Sequence, residues 1–288
     1  MKILITGTNG QLGQELHQHL SEKSYSITGL SREKLDLANP DNIRQVLQEI
    51  KPDLIINSGA YTAVDKAESE EEVAFAINGK APGILAEEVK KIGGRLIHVS
   101  TDYVFDGNAS QPYLESEETN PLGVYGKSKL AGEKAIQEVG GEYIILRTAW
   151  VYGVGGKGNF VKTMLRLGGE REEIKVVCDQ IGSPTWTGDL AEAIGRLVEL
   201  KWEPGIYHYT NSGVASWYDF SVAIFEEAKQ RSFPIKVERV IPITTSEYPT
   251  PARRPAFSVL SSKKIAAVLG SHPPHWRQSL RKMLEKNQ

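Results

Sequence analysis

The sequence predicts an α/β protein: a doubly wound parallel sheet followed by a smaller C-terminal α/β part. Three observations predict it. Short β-branched runs alternate with longer stretches of helical periodicity. The strand runs are almost continuously apolar, as in Leu54-Ile55-Ile56 and Leu96-Ile97-His98-Val99, which is how strands read when helices cover both faces. A glycine-rich loop, Gly7-Thr8-Asn9-Gly10-Gln11-Leu12-Gly13, follows the first run at once.

Taken in order, Lys2–Thr6, Ser26–Leu30, Leu54–Asn57, 95–100 and 143–147 read as strands, with helices at 11–20, 43–50, 73–91 and 127–139 between them. Right-handed crossovers wind these units into one sheet. The texture changes after Trp150. A glycine-rich loop at 153–158 leads to a strand at 175–179, a helix at 188–199 and a strand at 205–210; Pro242, Pro249, Pro251 and Pro255 crowd the last quarter. The acidic run at 68–72 reads as a solvated helix N-terminus.

Composition narrows the function classes. The chain has 288 residues, 40% of them hydrophobic, enough for a real core. Lys and Arg number 34 against 36 Asp and Glu, so the balance of −2 supplies no field for nucleic acid or an anionic membrane. No apolar run approaches the ~18 residues of a membrane span. The first residues turn polar and glycine-rich too soon for a signal peptide, and Cys178 is alone, so a cytoplasmic setting is expected. A homodimer is allowed for, although no pattern marks its surface.

The G-x-x-G-x-x-G spacing between a strand and a helix predicts a Rossmann dinucleotide loop ahead of a glycine-rich turn with no ligand. Gly7 turns the chain, Gly10 admits a pyrophosphate and Gly13 lets the helix close on the strand, while Asn9, Gln11 and Leu12 fill the same loop. The helix N-terminus favours phosphate. The second strand ends in Ser31-Arg32 with no acid for a ribose hydroxyl, so a 2′-phosphate and hence NADPH are expected ahead of NADH. A solvated Arg32 fits the loop nearly as well. Asp36 and Leu37 would lie beside the adenine. Residues 1–150 are thus expected to bind the dinucleotide and 151–288 the substrate, with some later segments returning to the sheet.

Tyr125 and Lys129 form Y-x-x-x-K, which puts both on one helix face, one turn apart. An ammonium beside a phenol favours phenolate and suits proton transfer at a carbinol oxygen. Thr101 falls at the carboxyl end of the fourth strand, where such sheets bind ligands. Ser100 competes for its role, and a turn or cap reading is open for Thr101.

Together these residues resemble the extended short-chain dehydrogenase/reductase family. Blocks at 60–68, 100–107, 124–133, 147–152, 179–185 and 248–255 are similar to its branch acting on dTDP-linked keto sugars, and the likeness runs from residue 2 to about 260. The resemblance implies that NAD(P)H reduces the C4 keto group of dTDP-4-dehydro-6-deoxy-L-mannose to dTDP-L-rhamnose. It implies Tyr125 as proton donor, Thr101 as holder of the C4 oxygen, and Lys129 as tuner of Tyr125 and partner of the nicotinamide ribose. It adds Ala60 and Tyr61 to the cofactor set. It places Thr62, Val64 and Tyr103 beside the sugar, Trp150 near the thymine, and Asn159, Arg253 and Arg254 at the phosphates. Asn78 resembles the family's structural or proton-relay Asn.

Plainer readings stand beside these. Trp150 stacks on a base or fills the core, and Arg253-Arg254 is a diphosphate clamp or a surface pair. His17 and His19 face apart, His98 reads as a satisfied core histidine, and no metal site is expected. An epimerase of a related nucleotide sugar and a non-catalytic NADP-binding subunit are the alternatives. The family's dehydratases place an acidic pair where this chain has Asp102-Tyr103, and the intact Thr101, Tyr125 and Lys129 favour an enzyme.

Overall fold

A computed structural model describes residues 1–287. β1 (Lys2–Thr6), α1 (Gln11–Ser21), β2 (Ser26–Leu30), α2 (Pro40–Ile50) and β3 (Leu54–Asn57) open the chain. Asn39 caps α2 by accepting from the Asp41 and Asn42 amides, and Pro40 fills the first helical position, which needs no N–H. Then come α3 (Val64–Ala67), α4 (Glu71–Phe75), a π-helical turn (Ala76–Lys80), α5 (Ala81–Lys91), β4 (Arg95–Thr101), α6 (Val124–Val139) and β5 (Glu142–Thr148).

The stretch 73–91, expected as one helix, is broken by the π turn. Pro82 explains the break. It has no N–H for the carbonyl of residue 78 and its ring would crowd that carbonyl, so the helix widens there. The same carbonyl sits where α6 crosses: a Cβ on Gly132 would lie 2.1 Å from it.

Beyond β5 lie β6 (Val151–Tyr152), α7 (Phe160–Glu170), β7 (Glu173–Val177), β8 (Ile181–Gly182), β9 (Thr185–Trp186), α8 (Thr187–Glu199) and β10 (Gly205–His208). β11 (Ala215–Ser216), α9 (Trp217–Gln230), β12 (Arg239–Ile243), α10 (Lys263–Leu269) and α11 (Trp276–Lys286) complete the chain. The main sheet has six parallel strands in the order β10-β5-β4-β3-β1-β2. Strand order reverses between β1 and β3, which opens a crevice at their carboxyl ends.

Alternation along the strands separates two cores. Ile3, Ile5, Ile56 and Ile97 pack under α1, α8 and α10, through Leu16, Ile194 and Ile265. Leu4, Ile55, Leu96 and Ile145 pack under α2, α5 and α6, through Leu47, Leu85 and Ile136. Thus α8, β10 and α10 return from the C-terminal half to the main sheet. A third core joins α7, α9 and α11 to β7 around Phe220 and Trp276.

Candidate active site

The glycine loop is built by contact. Gly7 has φ +67°, and a Cβ there would lie 2.7 Å from the Gly59 Cα, so β1 and the turn after β3 approach backbone to backbone. A Cβ on Gly13 would lie 2.3 Å from the Gly7 carbonyl, so only glycine lets α1 close on the loop. Gly10 is the N-cap of α1 with no side-chain cap, which leaves the first amides of an 11-residue helix for an anion. The backbone at Gly156 comes close to the Gln11 amide. These groups fit a dinucleotide pyrophosphate. Asn9 accepts a hydrogen bond from Gln14 at 3.3 Å through its carbonyl, and Leu12 is buried.

At the tip of β2, the Ser31 carbonyl accepts from the Lys34 and Leu35 amides, a turn that leaves Arg32 exposed. Asp36 caps the next turn through the Ala38 amide, and buried Leu37 packs against Gly59. Ala60 and Tyr61 follow at the crevice. Asn78 clamps the Tyr61 backbone from both sides and donates to Ser128 Oγ of α6 at 3.1 Å. It therefore braces the cofactor crevice, its side-chain hydrogen bonds among the described residues going to Tyr61 and Ser128.

The catalytic candidates converge at the carboxyl end of β4. Thr101 is buried there, near enough to the Tyr125 phenol for its hydroxyl to act on that phenol's titration. The same hydroxyl donates to Asp102 at 3.0 Å and accepts from the Tyr103 amide at 3.2 Å. Ser100 is eliminated as a rival, because its hydroxyl is buried against Glu133 at 2.5 Å. Glu133 in turn grips Arg147 at 2.7 Å, both almost fully buried, which fixes α6 to β4 and β5. The acidic run supplies another anchor, which sequence reasoning missed: Glu68 accepts from the Val124 amide at 2.9 Å and caps α6 one residue before Tyr125.

The electrostatics correct one expectation. Burial pushes Tyr125 up to about 12, the neighbouring Thr101 hydroxyl pulls it down and Asp102 raises it further. The expected phenolate-favouring ammonium is engaged elsewhere: Lys129 donates to the Val99 carbonyl at 2.7 Å and lies 3.3 Å from His98 Nε2. Burial holds Lys129 down to about 8 against the pull of Glu133. Burial also raises Asp102 to about 6, partly offset by the Ser258 and Thr101 hydroxyls, and leaves its Oδ2 without a hydrogen-bond partner. The partner of Lys129, His98, was read as core; its place two residues before Ser100 in β4 was the available signal.

The substrate candidates divide. Tyr103 meets Tyr125 edge to face at 5.5 Å, with exposed Thr62 and half-buried Val64 following the β3 turn. Arg253 is exposed. Arg254 departs from a phosphate role, because its guanidinium is spent on Asp65 at 2.8 and 3.0 Å and on Thr250. Trp150 departs from base stacking: its indole lies 3.5 Å from Trp217, nearly parallel, and Gly182 backs it. Asn159 caps α7 through the Lys162 amide and donates to Gln11 at 3.1 Å, so its side chain is committed to joining the two glycine loops.

Comparison with known proteins fits this geometry. The sequence model of the RmlD substrate binding domain family matches residues 1–288. The chain is 44% identical over 290 residues to a dTDP-4-dehydrorhamnose reductase of Burkholderia thailandensis, covering 97% of each. A solved dTDP-4-dehydrorhamnose reductase of Clostridium acetobutylicum superposes with a TM-score of 0.93 at 41% identity, covering 99% of both chains. One from Bacillus anthracis, solved in complex with NADP, gives 0.92 at 40% identity, again over 99% of both.

Proposed function

The chain belongs to the dTDP-4-dehydrorhamnose reductase family, and on that premise we propose that Tyr125, Thr101 and Lys129 carry its reaction. It is an NAD(P)H-dependent oxidoreductase that reduces the C4 keto group of dTDP-4-dehydro-6-deoxy-L-mannose, giving dTDP-L-rhamnose. Bound NAD(P)H supplies the hydride. The chain's own residues manage the oxygen and the proton. Thr101 turns its hydroxyl from Asp102 to the C4 oxygen and holds it against the Tyr125 phenol. A phenol held near 12 stays protonated at neutral pH, as a donor must. The C4 oxygen becomes far more basic as it turns from ketone to alkoxide, so the proton moves downhill from Tyr125. Lys129, one turn along α6 and anchored on the Val99 carbonyl, would hold the nicotinamide ribose beside the Tyr125 phenol.

One observation carries the reading: at the carboxyl end of β4, two strands from the glycine loop, the Tyr125 ring meets Tyr103, two residues after Thr101, edge to face at 5.5 Å. Arg253, exposed in the late proline-flanked loop, carries a fork suited to the diphosphate. The unpaired Cys178 supports a reducing, cytoplasmic setting.

The test follows NADPH and NADH absorbance separately, with the sugar nucleotide generated in the cuvette by the upstream epimerase. The expected result is stoichiometric oxidation that needs the sugar nucleotide. Tight NADP(H) binding without oxidation of either cofactor would overturn the reading.

A further inference from the structure

We infer that His98 is a positioning residue for Lys129, and that Asn57, by turning its amide end over end, decides which ring nitrogen of His98 carries the proton. The inference rests on the catalytic reading of Lys129 given above. A single buried row of polar groups connects the sheet to the catalytic helix. Lys129 Nζ lies 3.3 Å from His98 Nε2, and His98 Nδ1 lies 2.9 Å from Asn57 Nδ2. Asn57 Oδ1 accepts from the Thr6 hydroxyl at 2.6 Å, and Thr6 Oγ1 accepts from the Gly59 amide at 3.0 Å. Thr6, Asn57, His98 and Lys129 are each 2% exposed or less. Buried polar groups of this kind must satisfy one another.

Proton counting then constrains the row. Burial and the neighbouring Lys129 charge keep His98 neutral, so its ring has one N–H and one lone pair. An ammonium has no lone pair. Opposite charged Lys129, therefore, Nε2 must accept, the proton must sit on Nδ1, and Asn57 must turn its oxygen to the ring. A free amine does have a lone pair. It takes a hydrogen bond from Nε2–H, while Nδ1 accepts from the Asn57 amide nitrogen; that is the orientation Asn57 shows. The oxygen and nitrogen of an amide occupy equivalent places, and the Thr6 hydroxyl can donate or accept. The row therefore offers Lys129 a matched partner in both protonation states. Lys129 therefore keeps its place in whichever of the two states it stands.

The other titratable groups around Lys129 are Tyr125 and Glu133 on α6, the latter paired with Arg147 of β5, and Asp102 at the end of β4. Among the described residues Asn57 side-chain hydrogen bonds reach only Thr6 and His98. A change at Asn57 therefore reaches Lys129 through His98.

The experiment compares kcat against pH for the wild type, His98→Phe, Asn57→Asp and Lys129→Ala, with NADPH binding followed by fluorescence. His98→Phe removes an acceptor from the ammonium, so the alkaline limb should move down by about one pH unit. kcat at neutral pH should fall about tenfold while the substrate KM stays within about twofold. Asn57→Asp holds the proton on Nδ1 and Nε2 as acceptor, so the limb should move up by about one unit. Opposite shifts in variants that still bind NADPH support the inference. Unmoved limbs, or shifts in one direction, overturn it. If His98→Phe does not fold, Asn57→Asp decides alone, and an unmoved or lowered limb overturns the inference. Wild-type activity in Lys129→Ala would overturn the catalytic reading, and this inference with it.

Discussion

Gly126 lies directly against Tyr103: a Cβ added to Gly126 would stand 2.2 Å from the Tyr103 carbonyl oxygen. The glycine next to the Tyr125 phenol therefore helps to seat α6 on the turn after Thr101. Gly126→Ala must push the helix or the turn away, because backbone cannot yield like a flexible side chain. The expected cost is about 1–3 kcal/mol of stability, with kcat reduced about tenfold or more because Tyr125 and Thr101 separate. Denaturant unfolding and steady-state kinetics on the same preparation check both.

Tyr125→Phe tests the proton donor directly. The ring keeps its edge contact with Tyr103 and loses only the hydroxyl. Turnover should fall by roughly 10²–10⁴ while NADPH affinity is nearly intact. Wild-type turnover in this variant would remove Tyr125 from the mechanism.

Much of this was legible in the sequence because its signals are local. The glycine loop, the apolar strands and the Tyr125–Lys129 spacing each lie within a few residues, and right-handed crossovers bring their ends to one edge. What was hidden depends on distant partners. Arg254 looked like a phosphate ligand until Asp65, 189 positions away, took its guanidinium. His98 looked like core until α6 placed Lys129 against it, 31 positions away. The helix expected at 73–91 failed because apolar periodicity outweighed Pro82, whose missing N–H forces the π turn that sets Asn78.

Acid stability should depend on Glu227. Its side chain is fully buried and meets Arg231, Arg277 and Arg281, so it ties α9 to α11. The Arg281 hydrogen bond comes first among the causes that hold its carboxyl down to about 2, against an ordinary 4.5. A carboxyl lowered on folding stabilises the fold fully above its unfolded value. That contribution, on the order of 3 kcal/mol, is lost as pH falls from about 4.5 through about 2. Glu227→Gln should lower stability at neutral pH and flatten its fall over that window. Denaturant midpoints from pH 2 to 7 check this, and an unchanged slope would remove Glu227 as the cause.

Cofactor choice should turn on Arg32. The Ser31 carbonyl ties down the Lys34 and Leu35 amides, so the turn at the end of β2 is fixed while Arg32 is left exposed. A 2′-phosphate at that tip carries nearly two negative charges at neutral pH and would gain a charge-assisted contact that NADH cannot make. Exposure screens that contact, so its worth is about 1–2 kcal/mol at low salt. Arg32→Ala should therefore raise the KM for NADPH about tenfold and leave that for NADH within about twofold. Added salt should narrow the wild-type preference and leave the variant unmoved. Equal weakening of both cofactors would mean that Arg32 only shapes the loop, and the preference would then have to come from Ser31.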